Sequence, residues 1–217
     1  MSRFMDIPEP ERDCPLCPRL VDYRAENRAA HPDWFNGPAP SFGDPRARLL
    51  VVGLAPGRGG ANRTGRPFTG DYAGELLFST LARFGFAEGA YGASAQDGLR
   101  LIDCMITNAV RCAPPGNQPL PIEQTSCRPF LAARLRALPR LRLIITLGDI
   151  ARRNVLRALG LTASPSAGHG AEIRAGPYLL IHSYHCSRLN TNTGRLTPQM
   201  FHAVFAEARR KLDAYSP

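Results

Sequence analysis

The sequence predicts an α/β fold, a three-layer α/β/α sandwich with a central, mainly parallel four-stranded sheet. Short apolar runs have strand length, stretches of helical periodicity lie between them, and the runs end in turn-forming segments. Strands that are apolar on both faces need cover on both sides, and intervening helices supply it.

Residues 1–46 are proline-rich and irregular, with one short helical stretch over 20–30. RLLVVGL (48–54) is the first strand, and AGELLFSTLARFGF (73–86) has helical periodicity. LRLIDCMITNAV (99–110) reads as the second strand. IEQTSCRPFLAARLRAL (122–138) reads as a helix with Pro121 in its first turn, where a missing N–H costs nothing. LRLIITLG (141–148) is the third strand, and DIARRNVLRALG follows as a helix. PYLLIHSYH (177–185) is the fourth strand. TPQMFHAVFAEARRKLDAY (197–215) closes the chain as a helix capped by Thr197 ahead of Pro198.

Ligands of such sheets bind beyond the carboxyl ends of the strands. Three segments fall there: GLAPGRGGANRTGRPFTGD (53–71), TNAVRCAPPGNQ (107–118) and HSYHCSRLNTNTG (182–194). Their convergence is the site hypothesis.

At 217 residues the chain suits a single domain, 1–217, with a substantial core. MSRFMDIPEPERDC lacks the apolar stretch of an export signal, and no segment approaches the ~18 apolar residues of a membrane span. A cytoplasmic monomer without membrane association is expected. The net charge of +9 favours a polyanionic partner such as DNA. All basic residues except Lys211 are arginines; a GC-rich genome explains that bias as well as phosphate recognition does.

The glycine-rich segment 53–71 fails as a nucleotide loop. It has no lysine for a phosphate-binding loop, and Gly57-Arg58-Gly59-Gly60-Ala61-Asn62 ends in asparagine where a dinucleotide fingerprint needs glycine. What remains is an aromatic ring, Phe68, and a carboxylate, Asp71, just ahead of a helix. Taken singly, Phe68 reads as core and Asp71 as an N-cap.

Six cysteines without an export signal argue against a disulfide scaffold. Cys14, Cys17, Cys112 and Cys127 form the pattern C-x2-C-x94-C-x14-C, which would tie the irregular N-terminus to the sheet. Four thiolates suit a zinc ion or an iron–sulfur cube, and spacing does not separate the two. Cys104 reads as a small buried hydrophobe, and Cys186 as either an inert thiol or a nucleophile.

The three strand-end segments, in this order and with these four cysteines, closely resemble family 5 uracil-DNA glycosylases of the uracil-DNA glycosylase superfamily. The resemblance runs from about residue 12 to 205. It implies the α/β/α glycosylase fold, a [4Fe–4S] cluster on Cys14, Cys17, Cys112 and Cys127, and excision of uracil from DNA, with tolerance of other deaminated bases such as hypoxanthine. An in-stack base is out of reach, so such an enzyme extrudes it.

By that resemblance Phe68 stacks on the extruded ring, and Asn108 reads its Watson–Crick edge with an amide that both donates and accepts. Residues Gly53, Leu54, Ala55 and Gly57 supply the pocket wall. His185 is the donor to the leaving base, whose O2 and N1 gain negative charge. Leu54 and Ala55 stand where relatives carry acidic or polar residues. Asp71 is therefore the candidate that activates water or stabilises the sugar cation. Ser187, Arg188, Leu189 and Asn190 are the DNA-contacting residues, with Leu189 as a wedge. His182 is expected to be structural, turned to the opposite face from His185, and His31, His169 and His202 to be surface residues. A superfamily member that binds nucleic acid with altered or lost glycosylase activity is the alternative. A lyase is disfavoured because the single lysine, Lys211, lies in the last helix.

Overall fold

The structure is a computed structural model and describes residues 8–163 and 166–215. From the N-terminus the elements are α1 (Pro18–Ala30), β1 (Phe42–Gly43), β2 (Leu49–Gly53), α2 (Ala61–Thr64), α3 (Tyr72–Arg83), β3 (Ala87–Glu88), β4 (Arg100–Leu101) and β5 (Cys104–Asn108). There follow α4 (Pro121–Arg136), β6 (Leu143–Leu147), α5 (Asp149–Ala158), β7 (Glu172–Ala175), β8 (Tyr178–Ser183), α6 (Arg188–Asn192) and α7 (Pro198–Asp213).

β2, β5, β6 and β8 are parallel neighbours, with Val51 of β2 aligned to Ile106 on one side and Ile145 on the other. Every residue of β2, β5 and β6 is buried. Because strand side chains alternate, Leu49 and Val51 enter one core with Leu77 and Phe78 of α3 and Phe201 and Phe205 of α7. Leu50 and Val52 enter the opposite core with Leu131 and Leu135 of α4 and Val155 of α5. That is the expected three-layer arrangement.

The sheet has six strands rather than four, in the order β1-β5-β2-β6-β8-β7. β1 and β7 add as antiparallel edges. β1 is two residues long, and β7 (EIRA) has one buried position, so neither shows the apolar run that marks the central strands. The expected second strand over 99–110 is also divided. Asp103 takes a left-handed conformation (φ 53°) between β4 and β5, and its carboxylate receives the backbone N–H and the guanidinium of Arg48 at 2.9 and 2.7 Å. β4 then pairs with β3 in a separate small hairpin.

The irregular N-terminal segment is fastened by charge. Glu9 pairs with the fully buried guanidinium of Arg111 at 2.8 Å and also takes Arg134. Arg19 of α1 holds Glu123 of α4 at 2.7 Å, while Glu123 accepts the N–H of Leu120 and so caps its own helix. Among the described residues no helix is long and apolar enough to cross a membrane.

Candidate active site

A cavity of about 460 Å³ opens at the carboxyl edge of the sheet, where β2, β5, β6 and β8 end together. Its wall includes Leu54, Ala55, Gly57, Phe68, Asp71, Asn108, His185, Ser187 and Arg188 among the residues singled out from sequence. Gly53, Leu189 and Asn190 of that set lie outside the wall.

Gly53 lies behind it and is required there. A Cβ on Gly53 would lie 2.4 Å from Asn108 Oδ1 and 2.5 Å from Phe68 Cζ. Gly53 and Asn108 are the aligned last residues of adjacent strands, which places the amide directly beside the turn. Asn108 is 2% exposed, and its Oδ1 has no hydrogen-bond partner among the described residues. A buried orphan acceptor in a folded protein calls for an explanation.

Phe68 holds its ring against this amide from a left-handed backbone (φ 56°), and the ring lies 6.1 Å from the imidazole of His185. His185 Nδ1 is the second buried polar atom without a partner on this wall. Burial pushes the His185 pKa down to about 4, so the ring is neutral at physiological pH. Asn190 donates its side-chain amide to the His185 carbonyl at 2.8 Å, and its N–H meets Ser187 Oγ, the cap of α6. Asn190 thus serves the loop from inside. Leu189, 72% exposed, projects from α6, and the Arg188 guanidinium lies 5.2 Å from the ring of Tyr72.

Asp71 does two things at once. It caps α3, with Oδ1 accepting the N–H of Gly74 at 3.1 Å, and it lines the cavity. Burial raises its pKa despite that hydrogen bond. Gly60 lies so near that a Cβ there would be 2.5 Å from Asp71 Oδ2, which explains one glycine of the run.

The end of β6 was missed. Leu147, Gly148, Asp149 and Ile150 form part of the wall, and a Cβ on Gly148 (φ 89°) would lie 3.4 Å from the Cβ of His185. The strand-end rule that selected the other loops applied equally to LGD after the third strand. Asn117, in the second segment but not singled out, also lines the cavity.

His182 is structural as expected: it is 1% exposed, 3.2 Å from Thr146 Oγ1 through Nδ1 and 3.8 Å from Asp149 through Nε2. The other histidines are partly exposed, as expected of surface residues, but each makes a contact. His169 bridges the Tyr184 N–H and the Met200 carbonyl, His31 stacks on Trp34 at 3.8 Å, and His202 is half-buried beside Phe84. Cys186 is fully buried, with its thiol facing the Ala73 carbonyl and its pKa raised by burial, so the nucleophile reading falls. Cys104 is likewise buried in the core.

Cys14, Cys17, Cys112 and Cys127 line one small void, roofed by Leu20, Val110 and Phe130. Arg24, 6% exposed, directs one nitrogen at Cys112 Sγ (3.7 Å) and another at the Cys14 carbonyl (3.1 Å), with no carboxylate in contact among the described residues. The Arg111 N–H donates to Cys127 Sγ at 3.3 Å. Ala55 touches this cluster and also lines the large cavity, so the cysteines buttress its floor. Among the described residues no group of three or more His, Cys, Asp or Glu is arranged to hold a metal ion.

The fold and cavity define an α/β/α protein with a cavity where its parallel strands end. Residues 40–209 match the sequence profile of the uracil DNA glycosylase superfamily. The chain is 46% identical over 206 residues to a type-5 uracil-DNA glycosylase of Thermus thermophilus, covering 91% of this chain and 93% of the relative. It is 44% identical over 208 residues to one of Mycobacterium tuberculosis (91% and 77%) and 41% identical over 200 residues to one of Pyrobaculum aerophilum (90% and 88%). The chain belongs to the uracil DNA glycosylase superfamily and, within it, to the type-5 group.

Proposed function

We propose that this chain is a DNA-repair hydrolase that cleaves the N-glycosidic bond of uracil in DNA and leaves an abasic site. The observation that carries the reading is the pair of orphan polar atoms, Asn108 Oδ1 and His185 Nδ1, on one cavity wall with the Phe68 ring. An extruded uracil offers a donor at N3 and acceptors at O2 and O4, the complement of an amide and a neutral imidazole. Hypoxanthine is the further substrate to test, since the cavity is not confined to the size of one pyrimidine.

In this mechanism Phe68 stacks on the base and Asn108 fixes its edge. The neutral His185 donates a hydrogen bond to O2 as the C1′–N1 bond lengthens and the base takes up negative charge. Asp71, fixed by its own helix, faces the cation-like sugar and accepts a proton from the water that adds to C1′. Leu189 wedges into the vacated stack while Arg188 and Ser187 hold a phosphate.

Cys14, Cys17, Cys112 and Cys127 would hold a [4Fe–4S] cluster. Soft thiols round one apolar void suit it, and the unpaired Arg24 charge beside Cys112 offsets the negative charge of a thiolate-ligated cube. When bound, the cluster supplies a cross-link that anchors α1 and the floor at Ala55, not chemistry on the base.

The test is incubation with oligonucleotides carrying uracil, hypoxanthine or xanthine opposite each base, followed by alkaline cleavage. Strand breaks at uracil are expected. DNA binding with no breaks would reject the glycosylase reading and leave a binding protein.

A further inference from the structure

The position of Phe68 depends on a backbone state that phenylalanine disfavours, since its φ of 56° lies in the left-handed region. One side chain outside the cavity wall spans this turn. The Tyr91 hydroxyl donates to the Phe68 carbonyl at 3.3 Å and accepts the Gly70 N–H at 3.1 Å. Its ring stacks on Phe78 of α3 at 4.6 Å. Gly74 leaves the space this needs: a Cβ there would lie 2.0 Å from the Phe68 carbonyl oxygen and 2.5 Å from the Tyr91 hydroxyl.

Tyr91 is itself fastened. Arg66, just before the turn, donates Nε to Thr69 Oγ1 at 2.7 Å and forks onto Asp97 at 2.7 and 2.6 Å. Asp97 also accepts the N–H groups of Gly92 and Leu99 at 2.9 and 3.0 Å. The two charged side chains are 5% and 6% exposed, and the guanidinium lies within 6 Å of the Phe42, Phe78 and Tyr91 rings. Burying such a pair gains little stability over apolar packing, but its bidentate geometry fixes orientation. It clamps the 89–99 excursion between β3 and β4 onto the Phe68 turn.

We infer that Tyr91, held by the Arg66–Asp97 pair, is a positioning residue that sets the Phe68 ring and, through Gly70, the Asp71 carboxylate that follows. The inference rests on Phe68 as the stacking ring of the proposed glycosylase. Tyr91 acts through the turn and does not touch the base.

The experiment compares wild type with Tyr91→Phe, which keeps the stacked ring and removes the hydroxyl. Single-turnover uracil excision, affinity for a duplex with a stable abasic-site analogue, and Tm are measured together. In parallel, ¹⁹F spectra are recorded on protein carrying 4-fluorophenylalanine at its ten Phe positions. The Phe68 line is assigned by its loss in Phe68→Leu. The expected result is an excision rate about tenfold lower, the size of a lost hydrogen bond, with affinity and Tm near wild type and a split or broadened Phe68 line. An unchanged rate with an unchanged line overturns the inference. So does a fall of rate, affinity and Tm together, which would mean general loosening. A wild type inactive on uracil whose Phe68 line still splits in Tyr91→Phe would reject the uracil reading and leave the clamp standing.

Discussion

Asn108 Oδ1 and Phe68 Cζ close on the same point of space, 2.4 and 2.5 Å from where a Cβ of residue 53 would stand. The Asn108 amide and the Phe68 ring, the base-reading and stacking groups of the proposed mechanism, therefore share the space left by the lack of a side chain on Gly53. Gly53→Ala forces one of them to move. Overpacking of this kind costs about 1–3 kcal/mol, and where the strain falls on the site a rate loss of about tenfold to a hundredfold follows. Single-turnover excision beside Tm checks it; wild-type turnover in Gly53→Ala would show that the contact is not needed.

Asp71 both caps a helix and faces the cavity, and Asp71→Asn separates the two. Asparagine caps about as well as aspartate, so the helix persists. Burial has raised the Asp71 pKa, so between the unfolded and folded values the native state holds the extra proton and loses stability as pH rises. Removing the charge relieves that cost, and Tm at neutral pH stays level or rises. Excision falls by about a hundredfold or more. Equal rates for both proteins would remove Asp71 from the chemistry.

His185 and His182 are both neutral near pH 7, each with its pKa pushed down to about 4 by burial. Between the usual value of 6.5 and about 4 the unfolded chain takes up protons that the folded chain refuses, so stability falls as pH falls through that window. Thermal melts of wild type and His182→Gln across the window test this, the variant showing the shallower slope. His185→Ala slows excision by about a hundredfold to a thousandfold, the loss typical of one donor to a developing anion.

Purified protein is expected to be brown, with iron and acid-labile sulfide close to four of each per chain, the content of a [4Fe–4S] cluster. Cys112→Ser lowers both contents and Tm. Colourless protein with stoichiometric zinc would replace the cluster by a zinc site. Arg24→Met, which removes the unpaired cation beside Cys112, makes the cluster easier to lose on chelation.

DNA affinity is expected to fall steeply with salt as phosphate contacts release counterions, with Arg188→Ala reducing the logarithmic slope by about one. A slope equal to wild type would take Arg188 off the DNA.

The central sheet was legible because its strands are buried on both faces, and such strands write themselves as unbroken apolar runs. β1 and β7 escaped notice because edge strands pair on one side and need no such run. The break at Asp103 was hidden for a related reason: LRLIDCMITNAV is apolar on both sides of Asp103, and the turn is made by its carboxylate, which finds Arg48, a residue 55 positions earlier. In the site, the motif residues of the loops after β2, β5 and β8 were readable one at a time, while at β6 only the strand-end position marked the contribution, since LGD carries no distinctive motif.

By itself the sequence determined the alternation of strands and helices, the strand-end placement of Asp71, Asn108 and His185, and the family resemblance, because these are written in local periodicity and spacing. Only the tertiary structure decided that Asp71 is cap and cavity carboxylate at once, that Cys186 is buried away from solvent, and that Asn108 and His185 keep polar atoms on one wall with no partner among the described residues. Partnership, burial and exclusion of water are properties of groups brought together from distant parts of the chain. No local pattern records them.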